Sequence, residues 1–313
     1  MIIKNSTSYF LQVVLRTRNS YILLGVLLLL NSTKLIAQSP EAIQTKDVTF
    51  TSEGVQLAGT LYQPQKAEAA VVLVHGSGQT TRMTQFAERL VRHNIAVLTY
   101  DKRGVGASGG VYAGPEVGTN NIDARNLDLL AKDARAAVNI LNEEYKNLLI
   151  GLLGFSQAGW IIPLAAHENP LVDFMVLFSC PTITTLEQLR FQFYTNGDTE
   201  FWEKHTQEEA LDHMYNDPDR YQFTTTDPKV PLNKVSIPGL WIYGEQDIRI
   251  PAKLCIEHLN SLKAEGKPFE YILFSDLGHS TASTENTQPV DIAIQWIKQE
   301  AQHTMNKSNS KNK

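Results

Sequence analysis

Apolar and polar positions alternate along residues 46–52 and 55–62, and Glu53-Gly54 separates the two runs. Period-two runs joined by two turn residues predict a β-hairpin. Beyond a loop at 64–68 the pattern changes. Residues 69–74 (Ala-Ala-Val-Val-Leu-Val), 95–100, 148–155, 174–179, 240–243 and 269–274 are short, nearly continuous apolar runs. Strands buried on both faces read this way. Between them lie helical spacings: Met83, Phe86, Ala87, Leu90, Val91; then Leu127, Leu130, Ala131, Ala134, Ala137, Val138, Leu141; a buried helix over 160–167; a helix over 251–262 with Pro251 at its first position; and a closing helix through Val290, Ile294, Ile297 and Ala301. The alternation predicts an α/β fold, a mostly parallel, doubly wound sheet with helices on both faces.

Two stretches depart from it. Residues 182–233 interrupt the strand–helix alternation and carry Phe191, Phe193, Tyr194, Phe201, Trp202, Tyr215, Tyr221 and Phe223. This predicts a helical cap insertion, its aromatics forming either a small core of their own or substrate contacts. The N-terminus has Lys4, Arg16 and Arg18 before an apolar run at 21–30, then a polar stretch and a small-residue site at Ala37-Gln38. That order predicts a signal peptide over 1–37 and export to the periplasm or medium, with an uncleaved N-terminal anchor as the alternative. The expected organisation is therefore a signal at 1–37, an enzyme-sized domain at 38–306 and a disordered polar tail at 307–313.

Composition adds exclusions. With 313 residues, 42% hydrophobic and 19% charged, the chain can bury a large core, and a net charge of −5 gives no footprint for nucleic acid. Two cysteines, Cys180 and Cys255, make neither a disulfide scaffold nor a cysteine zinc site; they either pair in an oxidising compartment or remain core thiols. No His-x-x-x-His or carboxylate–histidine cluster indicates a metal, and nothing calls for a cofactor.

The chemistry collects where strands end. Residues 148–160 run Leu-Leu-Ile-Gly-Leu-Leu-Gly-Phe-Ser-Gln-Ala-Gly-Trp, a strand stopping at Ser156 between Gly154 and Ala158 before a helix starts. A serine on such a turn has the layout of a nucleophile elbow. A serine hydroxyl needs a base, the base an orienting carboxylate, and the developing oxyanion preset donors. Asp247 follows the strand at 240–243, His279 follows the strand at 269–274, and His75-Gly76-Ser77-Gly78 follows the strand at 69–74.

On these residues the chain resembles the α/β-hydrolase superfamily over roughly residues 48–302, with the order Ser156, Asp247, His279 and a variant elbow that has Ala158 where glycine is usual. The resemblance implies an acyl-enzyme on Ser156, His279 as base and Asp247 as orienting acid, with Glu245 as the fallback acid. It implies an oxyanion hole from the backbone N–H groups of Ser77 and Gln157, with Gly78 as the alternative to Ser77, while His75, Asp101 and Arg103 brace loops. Segments 73–78 and 100–110 further resemble exported hydrolases grouped with serine aminopeptidases. A small-molecule acyl substrate is expected, a carboxylic ester in preference to a peptide. Aminopeptidase activity would call for a carboxylate such as Glu200, Glu203, Glu208 or Glu209, and an inactive binding scaffold would call for a lost triad member.

Overall fold

The computed structural model describes residues 43–114, 119–219 and 221–311. The expected signal segment lies outside them. Residues Ile43–Lys313 form one unit. Its eight strands are β1 (Gln44–Ser52), β2 (Val55–Gln63), β3 (Ala69–Val74), β4 (Ile95–Tyr100), β5 (Ile150–Phe155), β6 (Phe174–Phe178), β7 (Gly239–Gly244) and β8 (Phe269–Phe274). The helices are α1 (Thr84–Val91), α2 (Ala124–Glu144), α3 (Ala158–His167), α4 (Thr185–Thr195), α5 (Phe201–Lys204), α6 (Gln207–Asn216), α7 (Lys229–Leu232), α8 (Ala252–Ala264) and α9 (Gln288–Lys311).

One sheet runs in the order β1-β2-β4-β3-β5-β6-β7-β8. β1 and β2 form the hairpin, paired Ser52 to Val55 across Glu53 (φ +48°) and Gly54 (φ +74°). Two consecutive left-handed residues give a turn whose twist matches that of the flanking strands. β2 lies antiparallel to β4, and every later pairing is parallel.

The central strands explain the unbroken apolar runs. Ala70, Val72 and Val74 of β3 face a core shared with α2, α3 and α8, whereas Ala69, Val71 and Leu73 face a second core shared with α1 and α9. Each residue of β3 is 0–1% exposed. The chain leaves β3 through α1 to β4 on one side and returns through α2 to β5 on the other. Right-handed crossovers in opposite directions put their helices on opposite faces and leave a crevice beyond the carboxyl ends of β3 and β5.

Two expectations are adjusted. Pro251 precedes the first turn of α8 as its cap instead of occupying the first helical position. The backbone of α9 is helical to Lys311, past the boundary expected at residue 307. The polar composition there gives no apolar stripe to pack, but no proline or glycine follows Pro289 to stop the helix. Cys180 and Cys255 are buried free thiols, and burial holds both well toward the protonated form, Cys255 at about 12.

Candidate active site

Ser156 sits between β5 and α3 with φ +49°, a conformation that costs a non-glycine residue free energy unless its surroundings enforce it. The surroundings do so by close approach. A Cβ on Gly154 would lie 2.4 Å from the Ala158 methyl and 2.7 Å from Ile162 Cδ1. A Cβ on Gly159 would lie 2.7 Å from the Pro181 carbonyl oxygen. Ala158 is thus accommodated at the variant elbow position because Gly154 has no side chain to meet it. The Ser156 N–H donates to the Phe178 carbonyl at 3.0 Å, tying the elbow to β6.

The loops after β7 and β8 are pressed together in the same way. A Cβ on Gly244 would come within 2.2 Å of Leu277 O and 2.3 Å of Gly278 O. Backbone bonds from Glu245 N to Phe274 O (2.8 Å) and from Gln246 N to Leu277 O (2.9 Å) close the seam. Asp247 is fully buried there. Its Oδ1 accepts from the N–H groups of Arg249 (2.7 Å) and Ile250 (3.0 Å), and its Oδ2 lies 2.7 Å from His279 Nδ1. His279 Nε2 lies 2.9 Å from Ser156 Oγ. Three residues drawn from three strand ends therefore form one hydrogen-bonded line. Glu245, the fallback acid, pairs with Lys253 at 2.8 Å, and Asp276 points to solvent.

Ser77 and Gln157 line the same cavity as Ser156. Gln157 caps the N-terminus of α3, so its N–H lies outside the helical ladder at the positive end of the dipole. Beneath both residues lies Lys102, which is 2% exposed. Its ammonium donates to Gly76 O (2.6 Å), Gly78 O (3.0 Å) and Gln157 Oε1 (3.2 Å). Drawing the carbonyls on both sides of Ser77 toward one cation fixes the peptide planes of that loop. Gln157 Nε2 donates in turn to Asn121 O at 2.7 Å.

The neighbours of Lys102 serve the scaffold. Asp101 accepts from the N–H groups of Arg82 (3.0 Å) and Ala107 (2.9 Å), shaping its own loop. Arg103 forms a buried two-pronged pair with Asp133 and donates to Ser52 O; burial is the main influence on Asp133, raising its pKa. His75 donates from Nε2 to Tyr100 O at 2.6 Å and packs edge-on against that ring. Its burial, reinforced by the charge of Lys102, lowers its pKa to about 3, so the ring is neutral.

The insert between β6 and β7 folds into α4–α7, and its aromatics divide between the two expected roles. Phe191 and Phe201 are buried, with Tyr194 and Trp202 packed around them. Phe193 and Tyr221 stack at 5.8 Å and face the cavity. The cap reaches the acid directly, since Trp202 Nε1 donates to Asp247 O at 2.9 Å. Arg249 escaped the sequence reading, Trp202 entered it only as one of the cap aromatics, and Lys102 only as part of the loop at 101–104. For Lys102 a signal was available: two residues past the end of the strand at 95–100, it must stand at the same sheet edge as the other strand-end residues. Among the described residues, no group of histidines, cysteines and carboxylates is arranged to hold a metal ion.

Fold and strand-end constellation together define an α/β-hydrolase. The sequence profile of the serine aminopeptidase S33 family matches residues 65–241, more than half of the chain, and the chain belongs to that family. Among curated proteins it is similar to the quorum-quenching protein AidA of Acinetobacter baumannii, 43% identical over 68 residues, covering 20% of this chain and 22% of that one. It is also similar to monoglyceride lipase of Rattus norvegicus, 24% identical over 163 residues, covering 49% and 51%. The matched stretches thus span about a fifth and about half of these relatives. Among solved structures, an esterase of Pyrococcus furiosus superposes with a TM-score of 0.59 at 19% identity, covering 83% of this chain and 91% of that one. An acylaminoacyl peptidase of Pyrococcus horikoshii gives a TM-score of 0.59 at 15% identity, covering 85% and 42%. These structures share the fold.

Proposed function

We propose that the protein is a serine hydrolase of carboxylic esters, with Ser156 as nucleophile, His279 as general base and acid, and Asp247 as the orienting carboxylate. The observation that carries this reading is the line Asp247 Oδ2–His279 Nδ1–His279 Nε2–Ser156 Oγ, with spacings of 2.7 and 2.9 Å. Ser156 Oγ attacks the substrate carbonyl carbon as its proton passes to His279 Nε2, and the negative charge of the tetrahedral intermediate falls to the N–H groups of Ser77 and Gln157. Collapse breaks the bond to the alcohol oxygen, which leaves with the proton from His279. Water, deprotonated by His279, then attacks the acyl-enzyme and releases the acid. Asp247 holds the ring in the tautomer that presents Nε2 to Ser156 and stabilises the imidazolium. Lys102 acts through the loop it fixes: it is a positioning residue for the oxyanion donors.

Ester is favoured over aminoacyl peptide by the cavity beside Ser156, about 490 Å³, which among its described lining residues has no carboxylate to hold a substrate amine. None of the four cap glutamates is among the described residues that line this cavity. Glu200 pairs with Lys204, Glu209 caps α6, and Glu203 and Glu208 are exposed. The test is a side-by-side rate comparison of 4-nitrophenyl acyl esters and aminoacyl 4-nitroanilides. Turnover of the esters, abolished in Ser156→Ala, is the expected result; a clear preference for the anilides would replace this reading with the aminopeptidase one.

A further inference from the structure

Ser156 stands on the boundary between two cavities of different chemistry. One, about 490 Å³, lies on the side of Ser77 and Gln157 and is walled by the cap. The other, about 320 Å³, lies on the side of His279 and is floored by Phe86, Phe155 and Phe178, with Met83 beside them. Phe155 and Phe178 stack at 5.7 Å, and Phe86 meets both edge-on at 5.0 and 6.0 Å.

Resting on the ester-hydrolase reading, the mechanism assigns the two chambers. The leaving alcohol must take its proton from His279 Nε2, so the alcohol part of the ester belongs in the aromatic chamber. The acyl carbonyl must point its oxygen at Ser77 and Gln157, so the acyl chain continues into the chamber under the cap. In that chamber the charge is set by Arg249. Its main chain is pinned, the N–H to Asp247 Oδ1 and the carbonyl accepting from Gln188 Nε2 at 3.1 Å. Arg249 is exposed, and its guanidinium has no partner among the described residues. Among the other described arginines, Arg82, Arg89, Arg92, Arg103, Arg125 and Arg135 each pair with a carboxylate, and Arg190 donates to Met214 O. In a chain of net charge −5, the arginine without a carboxylate at the cavity wall is positioned to receive an anion from outside the chain.

We propose that the preferred substrates are esters of an aromatic or bulky apolar alcohol with a short acid whose far end is anionic, a dicarboxylic half-ester being the simplest case. The carboxylate would meet the Arg249 guanidinium while the aromatic alcohol packs on the phenylalanine floor.

The experiment uses four esters on the full protein: 2-naphthyl hydrogen glutarate, 2-naphthyl valerate of equal chain length, and the two phenyl counterparts. The glutarate is expected to exceed the valerate about fivefold in kcat/KM, carried mainly by KM, as suits a charge-assisted contact at a partly solvated site. Arg249→Gln should remove that preference, and Arg249→Glu should invert it. Phe86→Ala should lower the naphthyl-to-phenyl ratio for both acids. If the wild type turns over the valerate at least as well as the glutarate, and Arg249→Gln leaves the ratio unmoved while a fluorophosphonate labels Ser156, the chamber assignment is overturned and the hydrolase reading stands. If no ester is turned over and Ser156 is not labelled, the hydrolase reading falls and takes this one with it.

Discussion

The strand-end loops and the cap are held by different kinds of force. Around Ser156, Asp247 and His279 the loops touch backbone to backbone: Gly159 against Pro181, Gly244 against Leu277 and Gly278, with main-chain bonds closing the seam. Such contacts leave one arrangement, because atoms at van der Waals distance cannot slide without a clash. The cap is held by side chains: a cluster around Phe191 and Phe201, two capping boxes, and single hydrogen bonds such as Trp202 to Asp247 O. Side chains can be exchanged and repacked with the backbone kept. Under the ester-hydrolase reading, the reaction is written into the rigid part and the choice of acyl group into the adjustable part.

The division predicts that strand-end substitutions act on kcat and cap substitutions on KM. The largest effect is expected at the nucleophile. Ser156→Ala should lower kcat on an activated ester by about 10⁴-fold or more, with the melting temperature changed little, because removing one hydroxyl creates no cavity of consequence. Loss of ester turnover without loss of labelling by a fluorophosphonate would contradict the role given to this serine.

Lys102 comes next. Lys102→Met keeps the stem but removes the donors to Gly76, Gly78 and Gln157. It should lower kcat by about 10²-fold with KM held within about twofold, the signature of an interaction needed only as the oxyanion forms. Lys102→Arg retains the charge and donors, so recovery of kcat in that variant separates positioning from simple packing. A rise in KM with kcat preserved would move Lys102 out of this role.

The strand ends were readable in the sequence for the same reason that they are rigid. Apolar runs such as 69–74 and 148–155 leave little doubt where a strand stops, and the next residues must stand at its carboxyl end. Ser156, Asp247, His279 and Ser77 could therefore be placed at strand ends in advance. Lys102 could be placed near a strand end, but its partners could not, because two of the three are main-chain carbonyls, which have no mark in a sequence. The cap was legible only as an interruption. Which aromatics face inward depends on how α4 and α5 rotate on the sheet: Phe191 and Phe193 are two residues apart, one buried and the other 50% exposed. Arg249 was unreadable because its distinction is the lack of a partner among the described residues, which only the placement of their charges can show.

Acid sensitivity offers a smaller effect on the rigid side. His75 in the folded chain titrates at about 3 against an ordinary 6.5, chiefly because it is buried. A depressed histidine means that the unfolded chain binds the extra proton first. Stability from this group is therefore complete above pH 6.5 and is lost as the pH falls toward 3, with a limiting slope of about 1.4 kcal/mol per pH unit. His75→Gln has no proton to gain over this range. Urea unfolding at pH 6.5 and 4.5 should show a shallower fall in stability for the variant than for the wild type, and equal slopes would show that the ring is not protected from protonation.

The smallest effect tests the other half of the comparison. Thr184 opens α4, the helix that carries Gln188 and Phe193 to the cavity. Its Oγ1 accepts from Glu187 N at 3.1 Å, while the Glu187 carboxylate accepts from Thr184 N at 2.7 Å. Thr184→Ala breaks this reciprocal cap, at a cost of about 1 kcal/mol. In a domain of this size that corresponds to a melting temperature lower by roughly 2–4 °C. Because α4 walls the acyl chamber and the triad rests on separate backbone seams, KM should rise about twofold while kcat stays level. A fall in kcat with KM unchanged would mean that the cap and strand ends are mechanically one piece, with the Trp202 contact to the Asp247 carbonyl as the link to cut next.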